Sequence, residues 1–180
     1  MHGVRIELTR AQARSIGLPL EIVFVSAGGS NDEYERKMSE TLLALQEGGV
    51  TSVAFGDIFL EDLRQWREER LARIGMRGLF PLWKVDTRAS IGEFVRLGFR
   101  SVVCCVSDAH LDETALGREI DTDFVNALPP GVDPCGENGE FHSFAYAGPI
   151  FGEPIAVRVG EKIHREGFWF CDLLPAGTPA

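Results

Sequence analysis

Residues 87–106 read TRASIGEFVRLGFRSVVCCV, and this stretch joins a helical pattern directly to a strand pattern. Thr87 is a capping residue, and apolar residues then recur at helical spacing until Gly98, where we expect the helix to end. Arg100–Val106 is the most strand-like run of the chain, because it is apolar and rich in valine. A helix that leads straight into a buried strand is typical of an α/β protein.

The chain upstream of this stretch repeats the alternation of strand and helix. Leu20–Ser26 and Val50–Phe55 are further strand candidates, and each is followed by a stretch with helical spacing. Strands that alternate with helices pair in parallel, so we predict a doubly wound, mostly parallel, Rossmann-like sheet. The first predicted element, over residues 3–16, is a helix with no strand before it, which is unusual for such a sheet.

The pattern changes after residue 128. Three short strand candidates follow, joined by turns that contain glycine: Phe141–Tyr146, Ile155–Val159 and Gly167–Leu173. Their close spacing favours an antiparallel extension at the C-terminal end of the sheet. We therefore predict one domain over residues 1–180, with a βα core over 1–128 and a motif loop with the β extension over 129–180.

Composition and charge exclude several classes of protein. The 180 residues include 18 basic and 27 acidic side chains, for a net charge of −9. A protein that coats nucleic acid or an anionic membrane needs a basic surface, so we expect neither partner. The four cysteines include no CxxC pair, which favours reduced, buried thiols over a zinc site. With no apolar stretch of spanning length and no signal peptide, we predict a cytoplasmic protein.

The densest group of functional residue types lies in residues 133–142, which read DPCGENGEFH. It combines two carboxylates, a carboxamide and an imidazole: Glu137, Glu140, Asn138 and His142. Such a group could bind a magnesium ion, hold an amine or transfer protons. Alternatively, Asn138-Gly139 is a strong hairpin signal, and the carboxylates would then be exposed at strand ends. The proline and glycine before that turn are poor strand residues, which favours a functional loop.

Other candidate sites follow the predicted strands. Gly56-Asp57 follows Val50–Phe55 at the end where α/β sheets bind ligands, although Asp57 is equally suited to cap a helix. Ser26–Ser30 has the position of a phosphate loop but lacks its lysine and spacing, so we interpret it as a loop before a capped helix. Four arginines recur every third residue from Arg64 and predict a solvated, salt-bridged helix face. Trp83 is more typical of a core than of a stacking platform.

Taken together, several segments resemble the diphthine–ammonia ligase type of ATP-binding domain, in the adenine nucleotide alpha-hydrolase (PP-loop) superfamily. They occur in the order of that family and cover most of the chain: Met1–Arg5, Gly56–Ile58, Phe80–Trp83, Gly117-Arg118 and Val132–His142. The glutamate-rich last segment is the specific one. The resemblance implies a sheet of the HUP type and an enzyme that uses ATP to adenylate a carboxylate, from which ammonia displaces AMP to leave an amide.

The resemblance also implies cofactors, partners and site residues. ATP and Mg²⁺ would be the cofactors, and a small-molecule or modified-residue carboxylate and ammonia the substrates. The implied catalytic residues are Glu137, Glu140 and His142. The implied substrate contacts are Asn138, Gly136, Gly139 and Trp83. The implied nucleotide contacts are His2, Gly3, Arg5, Gly56 and Asp57. Because the two glutamates would repel a triphosphate, we expect the motif to bind a cationic substrate such as a trimethylammonium group.

The glycine-, serine- and lysine-bearing PP-loop of the family has no counterpart in this sequence, so we expect an N-terminally incomplete domain. The sheet would then have an unpaired strand edge, which predicts a possible homodimer. Two alternatives stay open. The chain is a nucleotide- or partner-binding module that has lost its phosphate loop, or a metal-dependent hydrolase that uses Glu137, Glu140 and His142.

Overall fold

A computed structural model of the chain describes residues 3–26 and 30–177. The helices are α1 Ile6–Ser15, α2 Asn31–Glu47, α3 Glu61–Arg73, α4 Thr87–Arg96 and α5 Thr122–Asn126, with a 3-10 turn at Glu113–Ala115. The strands are β1 Ser52–Ala54, β2 Arg77–Leu79, β3 Arg100–Ser107, β4 Phe141–Ala147, β5 Val157–Arg165 and β6 Phe168–Pro175. No helix among the described residues is long and apolar enough to cross a membrane.

The chain forms two compact units. The four-stranded unit consists of the N-terminal residues up to Leu20 and of the chain from Asp86 onward, and the two-stranded unit is Glu21–Val85. The division that we predicted at residue 128 lies inside the four-stranded unit.

The four-stranded unit is built on an antiparallel sheet with the strand order β4-β3-β6-β5. β3 is central, and its residues from Ser101 to Val106 are all buried. In the register of the sheet, Cys105 lies opposite His142 on β4 and Phe170 on β6. Side chains from α1, α5, β4 and β6 complete the core: Leu8, Phe124, Phe144 and Leu173. The sheet thereby fixes the start of β4, where the glutamate-rich segment ends.

The two-stranded unit contains one parallel strand pair, β1 with β2, in which Ser52 lies opposite Arg77. α3 connects the two strands, as in a βαβ unit. Ser30 caps α2, and its side chain accepts a hydrogen bond from the backbone N–H of Glu33 at 3.2 Å. This cap confirms the predicted start of that helix.

The α/β class and the antiparallel C-terminal strands are confirmed, but the predicted pairing of β3 is wrong. We expected β3 in a mostly parallel sheet, and it pairs antiparallel with both of its neighbours. Leu20–Ser26, predicted as a strand, is in no strand of the described residues, which contain a single parallel pair. The apolar run that predicted β3 shows only that both of its faces are covered, and parallel and antiparallel strands share that property.

Candidate functional site

The glutamate-rich segment forms a compact loop between α5 and β4, and we call residues 133–140 the motif loop. The backbone N–H of Ser107, the last residue of β3, donates to the carbonyl of Glu140 at 2.9 Å. The side chain of Phe141 packs edge-on against Phe124, with ring centroids 5.6 Å apart. The end of the loop is therefore anchored to the central strand and to the core.

The Glu140 carboxylate organises the loop from inside. The residue is only 1% exposed. Its Oε1 accepts hydrogen bonds from the backbone N–H of Asp133 at 2.9 Å and from Asn138 Nδ2 at 3.0 Å, and its Oε2 accepts from the backbone N–H of Asn138 at 3.0 Å. Three donors from Asp133 and Asn138 thus converge on one buried carboxylate, which ties the two ends of the loop together.

The ionisation of Glu140 follows from two opposing effects. Burial alone would raise its pKa, because it penalises the charged form. Hydrogen bonds from Asn138 and from the backbone N–H of Asp133 stabilise the carboxylate and outweigh burial, so the pKa of Glu140 lies below its ordinary value. At neutral pH the group is therefore a charged acceptor, and it is not a proton donor.

Asp133 supports the first half of the loop. Its Oδ1 accepts hydrogen bonds from the backbone N–H groups of Cys135 at 2.9 Å and of Glu137 at 3.3 Å. We did not single out Asp133 from the sequence, although an aspartate that opens a turn and bonds the backbone two residues on is a recognised signal.

The two loop glycines have different roles. Gly136 has a φ of +69°, and a Cβ atom at this position would lie 2.6 Å from the carbonyl oxygen of Phe141. Gly139 has a φ of +84°, with open space where a Cβ would stand. Gly136, predicted as a substrate contact, is buried and serves the close approach of the loop to β4.

The remaining motif residues are more accessible. Asn138 is exposed, and Glu137 and His142 are half-buried. His142 lies on β4, and its carbonyl oxygen accepts a hydrogen bond from Cys104 Sγ at 3.4 Å. The loop thus keeps Glu140 inside and presents Asn138 at its surface.

A negative environment surrounds Cys135. Its Sγ donates to the carbonyl oxygen of Thr87 at 3.3 Å. Burial, followed by the charges of Asp133, Glu137 and Asp86, raises the pKa of this thiol to about 11. The thiol is therefore not an activated nucleophile.

The predicted nucleotide contacts near the N-terminus lie against β6 in the four-stranded unit. Arg5 forms a two-point ion pair with Asp172, with both N···O distances at 2.8 Å. The hydrogen bonds from Arg5 hold the pKa of Asp172 below its ordinary value. Gly3 lies beside the ring of Phe170, and a Cβ atom on Gly3 would lie 3.1 Å from that ring. His2 lies outside the described residues.

The other predicted contacts belong to the two-stranded unit. Asp57 accepts two hydrogen bonds from Arg67 on α3, at 2.6 and 3.2 Å. Gly56 is exposed and has open space where a Cβ would stand. Trp83 is half-buried, and the guanidinium of Arg64 lies 4.6 Å from the centre of its ring.

We expected the arginines of α3 to form a solvated, salt-bridged helix face, but they also contact aromatic rings. Arg64 does pair with Glu68, but Arg67 also lies 4.4 Å from the ring of Phe55, and Arg70 lies 4.0 Å from that of Trp66. Three of the four guanidinium groups, those of Arg64, Arg67 and Arg70, therefore join an acidic partner to an aromatic surface.

These residues do not by themselves define a site for Mg·ATP. The charged groups predicted to contact the nucleotide, Arg5 and Asp57, are each engaged by another side chain. Over residues 3–26 and 30–177, no group of three or more histidine, cysteine, aspartate or glutamate side chains is arranged to hold a metal ion. We therefore assign no step of a reaction to contacts between these residues and ATP.

The fold and the motif loop define an α/β protein with a hydrogen-bonded, acidic loop at one end of an antiparallel sheet. The family model described as "Diphthamide synthase C-terminal domain" matches residues 86–175, and the one described as "Diphthamide synthase N-terminal domain" matches residues 1–78. The chain belongs to the diphthamide synthase family. The C-terminal match begins at Asp86, where the chain returns to the four-stranded unit.

Curated relatives agree with this assignment. The chain is 28% identical over 172 residues to "Diphthine--ammonia ligase" of Danio rerio, a match that covers 84% of this chain and 65% of the relative. It is 25% identical to the proteins of that name in Mus musculus and Homo sapiens, with 89% of this chain and 61% of each relative covered. The chain thus spans less than two thirds of the length of these relatives.

Proposed function

We propose that the chain is a ligase domain that joins ammonia to a carboxylate, as the name of its relatives describes. The observation that carries the proposal is the motif loop, in which a buried, ionised Glu140 holds Asp133 and Asn138 in place. A loop fixed in this way presents its outward groups at a lower cost in conformational entropy when a substrate binds, because its backbone is already ordered.

The motif loop supplies the proposed substrate contacts. Glu137 and the nearby charges of Asp133 and Asp86 favour a cationic group, and a trimethylammonium-bearing carboxylate such as diphthine combines a cation with the reacting acid. Asn138 is exposed, and the amide oxygen and second N–H that its bond to Glu140 does not use are offered to the carboxylate or the product amide. His142 is the candidate for proton transfer when ammonia attacks. We assign Glu140 a positioning role, because its two oxygens already serve the loop.

ATP and Mg²⁺ remain proposed cofactors, since amide formation from a free carboxylate needs an activated leaving group. We propose that the two-stranded unit, with its parallel β1–α3–β2 connection, is the HUP-type part of the chain. We place the protein in the cytoplasm, with ammonia and a modified residue or small molecule as its substrates.

The experiment incubates the protein with a diphthine-bearing peptide, ammonium chloride and Mg·ATP, and measures the amide product by mass spectrometry. We expect Glu137→Gln to lower product formation and to weaken peptide binding. Glu161→Gln, which removes an exposed glutamate on β5, is the matched control and should leave both unchanged. Equal effects of the two variants would contradict the assignment. Peptide binding without product would favour the alternative of a non-catalytic binding module.

A further inference from the structure

A small cavity lies inside the two-stranded unit, between α2, α3 and Phe55, the residue that follows β1. Its volume is about 60 Å³, and its wall is mostly apolar and includes three aromatic rings. None of the side chains that line it is among the predicted contacts for nucleotide or substrate. Its aromatic and aliphatic wall consists mainly of Tyr34, Met38, Leu42, Phe55, Trp66 and Leu71.

The volume of the cavity limits the size of a ligand. A buried water molecule needs a cavity of about 15 Å³, so this one has room for roughly four waters. Four waters fill about 120 Å³ of liquid, which is close to the space of one benzene-sized ring. Aromatic walls accept such a ring in offset or edge-on packing. Size and lining therefore favour a single aromatic ring.

The two basic groups at the cavity already have acidic partners. Arg70 donates from Nη2 to the carboxylate of Glu35 on α2 at 2.5 Å, and Arg67 donates to Asp57 at 2.6 and 3.2 Å. Neither guanidinium is therefore a free cation for an anionic ligand. The carboxylate of Glu35 also lines the cavity and would repel an anion. The charges favour a neutral ligand.

One polar group at the cavity has no partner. Within the described part of the chain, the Nε–H of Arg70 is closed off from solvent and has no hydrogen-bond acceptor. Native proteins rarely leave a buried donor unsatisfied, because its desolvation is then uncompensated. The same guanidinium is fixed on its other side by Glu35 and by the ring of Trp66, whose centre is 4.0 Å away. An acceptor on a ligand would satisfy the Nε–H without moving Arg70.

We propose that this cavity binds a neutral, single-ring aromatic compound with one hydrogen-bond acceptor, such as a phenol. The ring packs against Trp66 and Phe55, and the oxygen accepts a hydrogen bond from Nε of Arg70. Sites for small molecules commonly combine an apolar wall with a few polar groups that orient the ligand. The proposal concerns binding alone and is independent of the ligase activity.

The test compares phenol with toluene, which has the same ring and a methyl group in place of the hydroxyl group. Each compound is titrated into the ¹⁵N-labelled protein, and NMR follows the side-chain N–H groups of Trp66 and Arg70. We expect saturable shifts of both groups with phenol, and of Trp66 with toluene. Benzoate and benzylammonium should bind roughly tenfold or more weakly than phenol, because each would bring an unpaired charge into the cavity.

Arg70→Lys separates the hydrogen bond from the rest of the site. Lysine keeps a positive charge for Glu35 but has no N–H at the position of Nε. We expect this variant to weaken phenol binding roughly tenfold and toluene binding by less than about twofold, because only phenol loses a hydrogen bond. Arg73→Lys changes an exposed arginine at the end of α3, outside the lining of the cavity, and should alter neither affinity.

The spectrum of each variant, unchanged away from the cavity, is the check on folding. The comparison of phenol with the two charged compounds uses the native protein and needs no variant. The proposal is overturned if phenol gives no saturable shift of Trp66, if benzoate binds more tightly than phenol, or if Arg70→Lys weakens phenol and toluene equally.

Discussion

The sequence suggested two carboxylates for catalysis or binding, Glu140 in the motif loop and Asp57 beside α3. The structure holds them in different ways. Glu140 is 1% exposed and accepts two of its three hydrogen bonds from backbone N–H groups. Asp57 is held by one side chain, that of Arg67. A carboxylate fixed by the backbone positions a loop, whereas one fixed by a side chain can exchange its partner for a ligand.

The largest effect is expected at Glu140. In Glu140→Gln, an NH₂ group replaces one carboxylate oxygen and faces a backbone N–H. Because both groups are donors, at least one buried hydrogen bond is lost and a donor is left unsatisfied. We expect a loss of about 3 kcal/mol in the free energy of unfolding, measured by urea denaturation. Glu161→Gln should change it by less than about 0.5 kcal/mol. A Glu140→Gln variant as stable as that control would mean that the loop does not depend on the carboxylate.

The next comparison is between the loop glycines. Gly136→Ala adds a Cβ 2.6 Å from a carbonyl oxygen at a positive φ, whereas Gly139→Ala meets only the φ penalty. We expect a loss of about 2 kcal/mol or more for Gly136→Ala and about 1 kcal/mol for Gly139→Ala, from urea or thermal unfolding. Equal losses for the two variants would mean that the loop rearranges around residue 136 and that the contact with Phe141 carries no cost.

The stabilisation by Glu140 should depend on pH. Because its folded pKa lies below the ordinary value, the unfolded chain binds the proton more readily. The contribution is therefore complete above the ordinary carboxyl pKa and is lost as pH falls through the folded pKa. The stability difference between the native protein and Glu140→Gln should shrink over that acidic range, as urea unfolding at a series of pH values would measure. A difference that grows on acidification would contradict the sign.

Asp57→Asn should have a smaller effect. The side chain of Asp57 is 11% exposed and that of Arg67 is 24% exposed, so solvent screens the pair in part. We expect a loss of about 1 kcal/mol, and we expect added salt to reduce the difference from the native protein. Unfolding curves at low and high ionic strength test this. A loss as large as that of Glu140→Gln would remove the distinction between the two regions.

The smallest signal is expected from nucleotide binding. Because Arg5 and Asp57 are already paired with other side chains, these two predicted nucleotide contacts offer a triphosphate and its metal ion little free charge. We expect titration calorimetry with Mg·ATP to show weak binding. Micromolar affinity would mean that other residues contact the phosphates.

Sequence patterns predicted local features better than pairings. The helix over α3, the cap at Ser30 and the strand β3 follow from spacing and capping chemistry, which depend on neighbours in the chain. The direction of pairing of β3 depends on residues some 40 to 70 positions later, and an apolar run is compatible with either direction. Composition likewise located the motif loop, but could not show that Glu140 points inward while Asn138 stays exposed.

The central claim is that Glu140 fixes the motif loop, and amide hydrogen exchange tests it most directly. The backbone N–H groups of Asp133 and Asn138 both donate to its buried carboxylate. We predict that these two amides exchange slowly in the native protein, at rates near those of β4, and much faster in Glu140→Gln. Exchange of both amides at the rate of an unstructured peptide in the native protein would contradict the account.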